Sequence, residues 1–407
     1  DPESVALLEE VLECLPEADS PLRAQVLARL AVLLYYADSA EERVLATARE
    51  AVVMARAAGE PPAVVSALVA AQFAQWRRGR AVDRLAIADE LVFLTESHNQ
   101  LACAAEAHLW RAVALVELCR IDEADADLAR HAEIAERLQH YQLLGHRDAL
   151  RSMRALLEGD YERGIAAAGD VCAWADRAES FSGVPMTMLR GFYGAELIAI
   201  HNERDELGEA APFFEAMLRE MDALPGWRSA LAWAYVQSGR AGEARRMIEE
   251  LATGGFAGIP NDTNLLAALT IVAHAVGELG DGELAALVEP QLAPFADTWV
   301  VLGPGAATLG PVAYSLGVLQ LAQGRVDEAA ASFERALELS ERMRARPYEA
   351  RSCAGLAEAL RRRGEPGDEA RADELSARAL AEARALGMRR LERELDQPPV
   401  ALRTASR

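Results

Sequence analysis

The sequence predicts an all-α protein: a right-handed superhelical solenoid of about nine helix hairpins, each about 40 residues long. Three observations carry this. A turn signature, Gly324-Arg325-Val326-Asp327-Glu328-Ala329, returns as Gly239-Arg240-Ala241-Gly242-Glu243-Ala244 and more loosely at 119–124 and 159–164. Further hairpin turns fall near Asp38, Gly79, Asn202, Gly280 and Gly364. Hydrophobic residues form 51% of the 407-residue chain but aromatics only 6%, the alanine- and leucine-rich composition that close helix packing requires. A chain of this length exceeds an ordinary single domain, whereas each unit of a repeat array needs only its neighbours to bury its apolar face.

The units follow in order. Ala112 and Leu115 precede the turn at Cys119, and Ala124 and Leu128 follow it. Leu231, Ala232 and Tyr235 precede Gly239, with Ala244, Ile248 and Leu251 beyond. The unit near residue 320 states the pattern most fully. Leu316, Gly317 and Leu321 lie on one face of a first helix from about Val312 to Gln323, which Gly324 ends. Asp327 and Glu328 then sit at the positive N-terminus of the second helix, whose packing stripe is Ala329, Phe333, Ala336 and Leu337. Gly317 and Ala329 let the two helices approach, and Pro347 opens the next unit. Leu356, Ala357 and Leu360 precede the last turn at Gly364, stretched by Glu365-Pro366-Gly367-Asp368. Periodicity breaks at 181–185, 253–262 and 294–311. The array is expected over 1–395, with 396–407, containing Pro398-Pro399, a flexible C-terminal tail.

Composition also excludes. A net charge of −22 argues against direct contact with a nucleic-acid backbone. All 42 basic residues are arginine, so neither a phosphate-loop lysine nor a Schiff-base lysine exists here. No run of 18 apolar residues suggests a membrane span. The start, Asp1-Pro2-Glu3-Ser4, has neither a secretory leader nor an initiator methionine, as expected of a segment excised from a longer protein. Cys14, Cys103, Cys119, Cys172 and Cys353 are scattered, with no C-x-x-C pair, which predicts free thiols in a reducing cytoplasm.

The order small residue, aromatic, glycine, alanine, aromatic, alanine, proline resembles the tetratricopeptide repeat. More specifically, Gly303-Pro304-Gly305-Ala306-Ala307-Thr308-Leu309-Gly310-Pro311-Val312-Ala313 through Arg346-Pro347 resembles the C-terminal repeat region of an actinobacterial-type group of signalling ATPase regulators. In that group LuxR-type regulators or adenylate/guanylate cyclases are joined to a nucleotide-binding oligomerisation ATPase and then to such an array. The resemblance spans roughly residues 5–390. It implies signalling and transcription regulation, with ATPase and DNA-binding activities in domains outside these 407 residues.

Few residues suggest chemistry. Gly303-Pro304-Gly305 with Gly310 lacks the G-x-G-x-x-G spacing, a preceding strand and a following lysine, so it reads as a loop leading to a helix at Pro311. His131, His140 and His146 do not share a helical face, and His108 and His274 are isolated, so no metal or catalytic set is expected and no cofactor is implied. The acidic pairs Asp327-Glu328 and Glu249-Glu250 suit helix termini and solvated faces better than acid–base catalysis. The more specific expectation is a concave groove. With the turn glycine as register mark, it receives Phe73, Trp76, Arg77, His146, Met153, Arg190, Phe192, Glu196, Trp233, Gln237, His274 and Tyr314. Aromatic residues with a few arginines would hold a protein or peptide partner, or a small-molecule effector. The competing reading packs Trp76, Trp233 and Phe192 between adjacent first helices. The functional expectation is a non-catalytic sensor and scaffold region of a signalling ATPase regulator, with self-association possible in principle. A stand-alone adaptor, or an enzyme using the channel around Glu196, Trp233 and His274, are the alternatives.

Overall fold

The computed structural model describes residues 2–37, 40–182, 187–220, 225–262 and 264–396. Asp38 and residues 397–407 of the expected tail therefore lie outside the described residues. The fold is all-α. After α1 (Pro2–Cys14), helices pair in sequence: α2 (Pro21–Tyr36) with α3 (Glu41–Ala58), and α4 (Pro61–Ala74) with α5 (Ala81–Ser97). Next come α6 (Leu101–Glu117) with α7 (Ile121–Leu138), α8 (Tyr141–Glu158) with α9 (Tyr161–Ser182), and α10 (Thr187–Glu203) with α11 (Ala211–Glu220). They continue as α12 (Pro225–Gln237) with α13 (Ala241–Ala252), and α14 (Leu265–Leu279) with α15 (Gly282–Leu292). The last pairs are α16 (Val312–Ala322) with α17 (Val326–Arg342) and α18 (Arg346–Arg363) with α19 (Asp368–Leu386), before a short α20 (Arg389–Asp396).

The turns explain why the chain breaks where it does. Six carry a glycine in the left-handed region: Gly79, Gly159, Gly239, Gly280, Gly324 and Gly364. Two use other residues, Cys119 at φ 56° and Asp205 at φ 65°, the latter three residues beyond the Asn202 signal. A left-handed residue closes the first helix and lets the second fold back. Helix starts are equally local. The Ser20 hydroxyl accepts from the Arg23 N–H, Asp281 accepts from the N–H groups of Glu283 and Leu284, and Pro347 opens α18.

The described residues form two compact units. One comprises residues 2–118, 122–147 and 260–262; the other comprises 119–121, 148–259 and 264–396, in each case their described residues. In the first, alanine and leucine from α2, α3 and α4 form a continuous core around Ala28, Leu34 and Ala55. The second has its largest core on α12, α13, α14 and α15, where twelve consecutive residues of α14, Leu265 to Val276, are buried. A helix buried on all sides is what an inner position in an array requires.

The unit near residue 320 packs largely as its periodicity predicts. Ala329, Phe333 and Ala336 are buried, but Leu339 rather than Leu337 completes the stripe. The Phe333 ring is held between Gly317 and Gly355: a Cβ at Gly317 would lie 2.8 Å from it, and one at Gly355 2.5 Å. With glycine on both sides the ring has nowhere to move. Gly355→Val is therefore expected to destabilise the chain by about 1–3 kcal/mol through overpacking. Thermal unfolding checks this, and an unchanged midpoint would show that the ring can yield.

Residues 299–311 depart from expectation. Strand β1 (Trp299–Leu302) pairs antiparallel with β2 (Ala307–Pro311), Val301 opposite Thr308 and Leu302 opposite Ala307. A strand therefore does precede the Gly303-Pro304-Gly305 stretch. The stretch is a hairpin loop, with Gly303 at φ 56° and Gly305 at φ 88°, and not a strand-to-helix phosphate cradle. Trp299 is fully buried and meets the Tyr348 ring edge-on at 5.4 Å, so this small sheet seals a core.

Candidate functional site

A cavity of about 1610 Å³ opens within the second unit, lined by residues of α12, α14, α16, α17, α18, α19 and α20. One wall is an aromatic column. Trp233 meets His274 edge-on at 5.2 Å, His274 meets Tyr314 at 5.7 Å, and Tyr314 meets Phe333 at 5.7 Å. Trp233, His274 and Tyr314 come from the successive first helices α12, α14 and α16, Phe333 of α17 closes the column, and edge-on contacts suit aromatic quadrupoles. Trp233 is 3% exposed, so it is cavity wall and core together.

The polar groups are arranged around this column. The Trp233 indole N–H donates to Glu278. From α20, Arg390 reaches Glu278 at 2.6 Å and donates to the Asn202 Oδ1 at 3.1 Å, with its guanidinium 6.0 Å from the Trp233 ring centre. The Gln237 amide donates to the same Asn202 oxygen at 3.1 Å. Ser315 and His274 Nε2 share a hydrogen bond of 3.4 Å, whereas His274 Nδ1 has no hydrogen-bond partner. Burial, reinforced by the nearby charges of Arg351 and Arg390, pushes His274 down to about 3, so it is neutral at physiological pH. Arg351 makes a buried ion pair with Glu203, yet Arg351 Nε, Glu203 Oε2 and the Tyr161 hydroxyl remain without hydrogen-bond partners. Burial raises the Glu203 carboxyl even against the opposing Arg351 charge. Of these unpartnered atoms, His274 Nδ1 and Arg351 Nε belong to residues that line the cavity, so it combines an apolar face with two unspent nitrogens.

Four of the sequence-predicted residues meet here: Trp233, Gln237, His274 and Tyr314. Three others cluster in the first unit. Phe73 packs on Trp110 at 5.2 Å and Trp76 on Trp110 at 4.4 Å, while Arg77 lies 5.8 Å from the Tyr35 ring and donates to the Asn261 carbonyl at 2.8 Å. Buried His146 lies beside His131, ring centres 6.4 Å apart, and burial pushes His146 down to about 3. Met153 and Glu196 are buried in the second unit and do not line the cavity. The side chains of Arg190 and Phe192 lie outside the described residues. His108, isolated in sequence, is paired in space: Nδ1 is 2.6 Å from Asp127 and Nε2 is 3.2 Å from Glu96. Among the described residues, no cluster of three or more His, Cys, Asp or Glu side chains could hold a metal ion.

Sequence reasoning missed Asn202, Glu203, Glu278, Arg351 and Arg390. Carrying the spacing of Trp233, His274 and Tyr314 one unit further reaches Ala354 and Gly355, which also line the cavity, and falls short of naming Arg351. Arg390 could not be found this way, because it arrives through a helix outside the repeat register.

Comparison with known proteins bears on this geometry in one place. Residues 311–342 match the model of the tetratricopeptide repeat, a unit that generally mediates protein–protein interaction and is typically non-catalytic. Those residues comprise α16, α17 and the residue before them, and they supply Tyr314 and Phe333 of the column. No curated protein matches the chain. No helix among the described residues is long and apolar enough to cross a membrane. The chain is an all-α array of helix hairpins with tetratricopeptide-repeat character at its sixteenth and seventeenth helices.

Proposed function

We propose that this chain is a binding and scaffolding array whose partner, a polypeptide segment, enters the cavity of the second unit. The observation that carries the reading is the aromatic column from Trp233 to Phe333, flanked by polar atoms with unused hydrogen-bonding capacity. Buried aromatic rings with a few placed polar groups are the usual anchors of peptide recognition. In the finer reading the array runs over 1–395 ahead of a flexible tail and belongs to a cytoplasmic signalling ATPase regulator of the LuxR-type or cyclase-linked kind. Binding then shifts that regulator between resting and assembly-competent states, to the extent that the partner favours one of them.

Native mass spectrometry of the purified chain, before and after incubation with cell extract, tests this. Arg361 and Arg362 line the cavity with partly exposed side chains, so their reversal should spare the fold. The wild type is expected to retain a discrete peptide or protein mass that Arg361→Glu/Arg362→Glu and Tyr314→Ala each lose. A mass retained equally by all three would remove the cavity from partner binding. A retained small organic molecule would replace the polypeptide with an effector.

A further inference from the structure

Helix α20 is unlike the helices before it. It is eight residues long, and six of them, Arg389, Arg390, Glu392, Arg393, Glu394 and Asp396, are charged, leaving Leu391 and Leu395 as its apolar residues. Its attachment is a small apolar contact, in which Leu395 joins Leu391, and a set of ion pairs that includes Arg384–Glu392 at 3.1 Å and Arg389–Glu206 at 4.0 Å. Leu391 enters a core cluster with Leu156, Tyr161, Ile200 and Met388. Arg390, 8% exposed, reaches Glu278 on α14 and Asn202 on α10 and lies over the Trp233 ring. Arg393 meets Asp205 at 2.6 Å. Arg390, Leu391, Arg393, Glu394 and Leu395 are themselves cavity lining. The chain's own α20 thus occupies one side of the cavity assigned above to a partner.

We infer that α20 is a resident, displaceable occupant, and that the external partner is an amphipathic helix carrying an arginine followed directly by leucine. The inference rests on the binding role proposed for the cavity. The slot supports it on chemistry. A carboxylate (Glu278), an amide oxygen (Asn202) and an indole face (Trp233) converge on one guanidinium, whose planar fork addresses several acceptors as an ammonium cannot. An eight-residue helix is marginal in isolation, so release costs little beyond these contacts. While tethered, α20 competes at a high effective concentration, which keeps the slot closed to weak ligands.

The probe is a fluorescein-labelled peptide of residues 386–396, added to the 407-residue chain and followed by anisotropy. Wild type is expected to bind it at least tenfold more weakly than Arg390→Ala/Leu391→Ala, in which the resident helix is released. Adding Glu278→Ala to that variant is expected to reverse the gain. A folded double variant that binds no better than wild type, or a gain insensitive to Glu278, overturns the inference. Should the double variant not fold, hydrogen exchange of the wild type decides. Amides of α20 are expected to exchange at least tenfold faster than those of α18, and equal protection would make α20 a fixed part of the core. Partner retention that still depends on Tyr314 while the peptide result fails would sink the latch and leave the binding cavity standing.

Discussion

Trp233→Ala is expected to destabilise the chain by about 3–5 kcal/mol, the range for removing a large buried aromatic side chain. The indole is 3% exposed, sits in the main core of the second unit beside Leu231, Ile248 and Val272, and forms one end of the aromatic column. Its removal leaves a void, ends the edge-on contact with His274, and deprives Glu278 of a donor. Glu278 then depends on Arg390 alone. The loss should appear as a lower midpoint in urea unfolding with an unchanged slope. A midpoint within experimental error of wild type would mean that the cavity collapses onto the void. Because Trp233 serves the core as well as the cavity wall, a binding defect in this variant cannot be assigned to recognition. Tyr314, half-buried, and the arginines Arg361 and Arg362 are the cleaner probes.

Glu196→Gln is expected to stabilise the chain at alkaline pH and to leave it nearly unchanged in acid. Glu196 is fully buried on α10, and burial pushes its pKa from 4.5 up to about 9 against the opposing effect of the nearby Ser152 hydroxyl. The folded chain therefore keeps a proton that the unfolded chain has released. Its stabilising contribution is complete below pH 4.5 and is lost at about 1.4 kcal/mol per pH unit as pH rises toward 9. Glutamine has no charge to bury, so the variant escapes this loss, amounting to several kcal/mol by pH 8. Unfolding midpoints at pH 4.5 and 8 check it; parallel pH profiles for the two proteins would show that the carboxylate reaches water. His146 and His274 act in the opposite window. Each is pushed down to about 3, so their contribution is present above pH 6.5 and lost as pH falls toward 3. Wild-type stability should therefore decline on both sides of a middle range, and Glu196→Gln should flatten only the alkaline side.

The turns were the most legible part of the sequence, because a left-handed residue is a local demand that glycine meets at least cost. Six of them fell on the glycines that mark the period, and Cys119 shows that the turn persists where glycine is replaced. The hairpin at Trp299–Pro311 was not legible. Its strands are four and five residues long, carry glycine and proline, and gain their order from each other and from Tyr348, none of which leaves a periodic trace. Half of the candidate site stood in the same position. Trp233, His274 and Tyr314 were within reach because one residue per repeat, at about 40-residue spacing, must share a face. Glu196 and Met153 passed the same register argument yet lie in the core, since a rotation of about 100 degrees per residue separates groove from core.

By itself, then, the amino-acid order determined the helix pairs, their turns and the column of rings, all of which follow from interactions between residues close in the chain or in adjacent repeats. Only the tertiary structure decided what closes the cavity. Arg351 meets Glu203 across 148 positions, and Arg390 meets Asn202 across 188. Such contacts exist only after the second unit folds back on itself and brings α18 and α20 against α10. No local propensity encodes that approach, because the stability it supplies comes from burial and pairing that the extended chain never experiences.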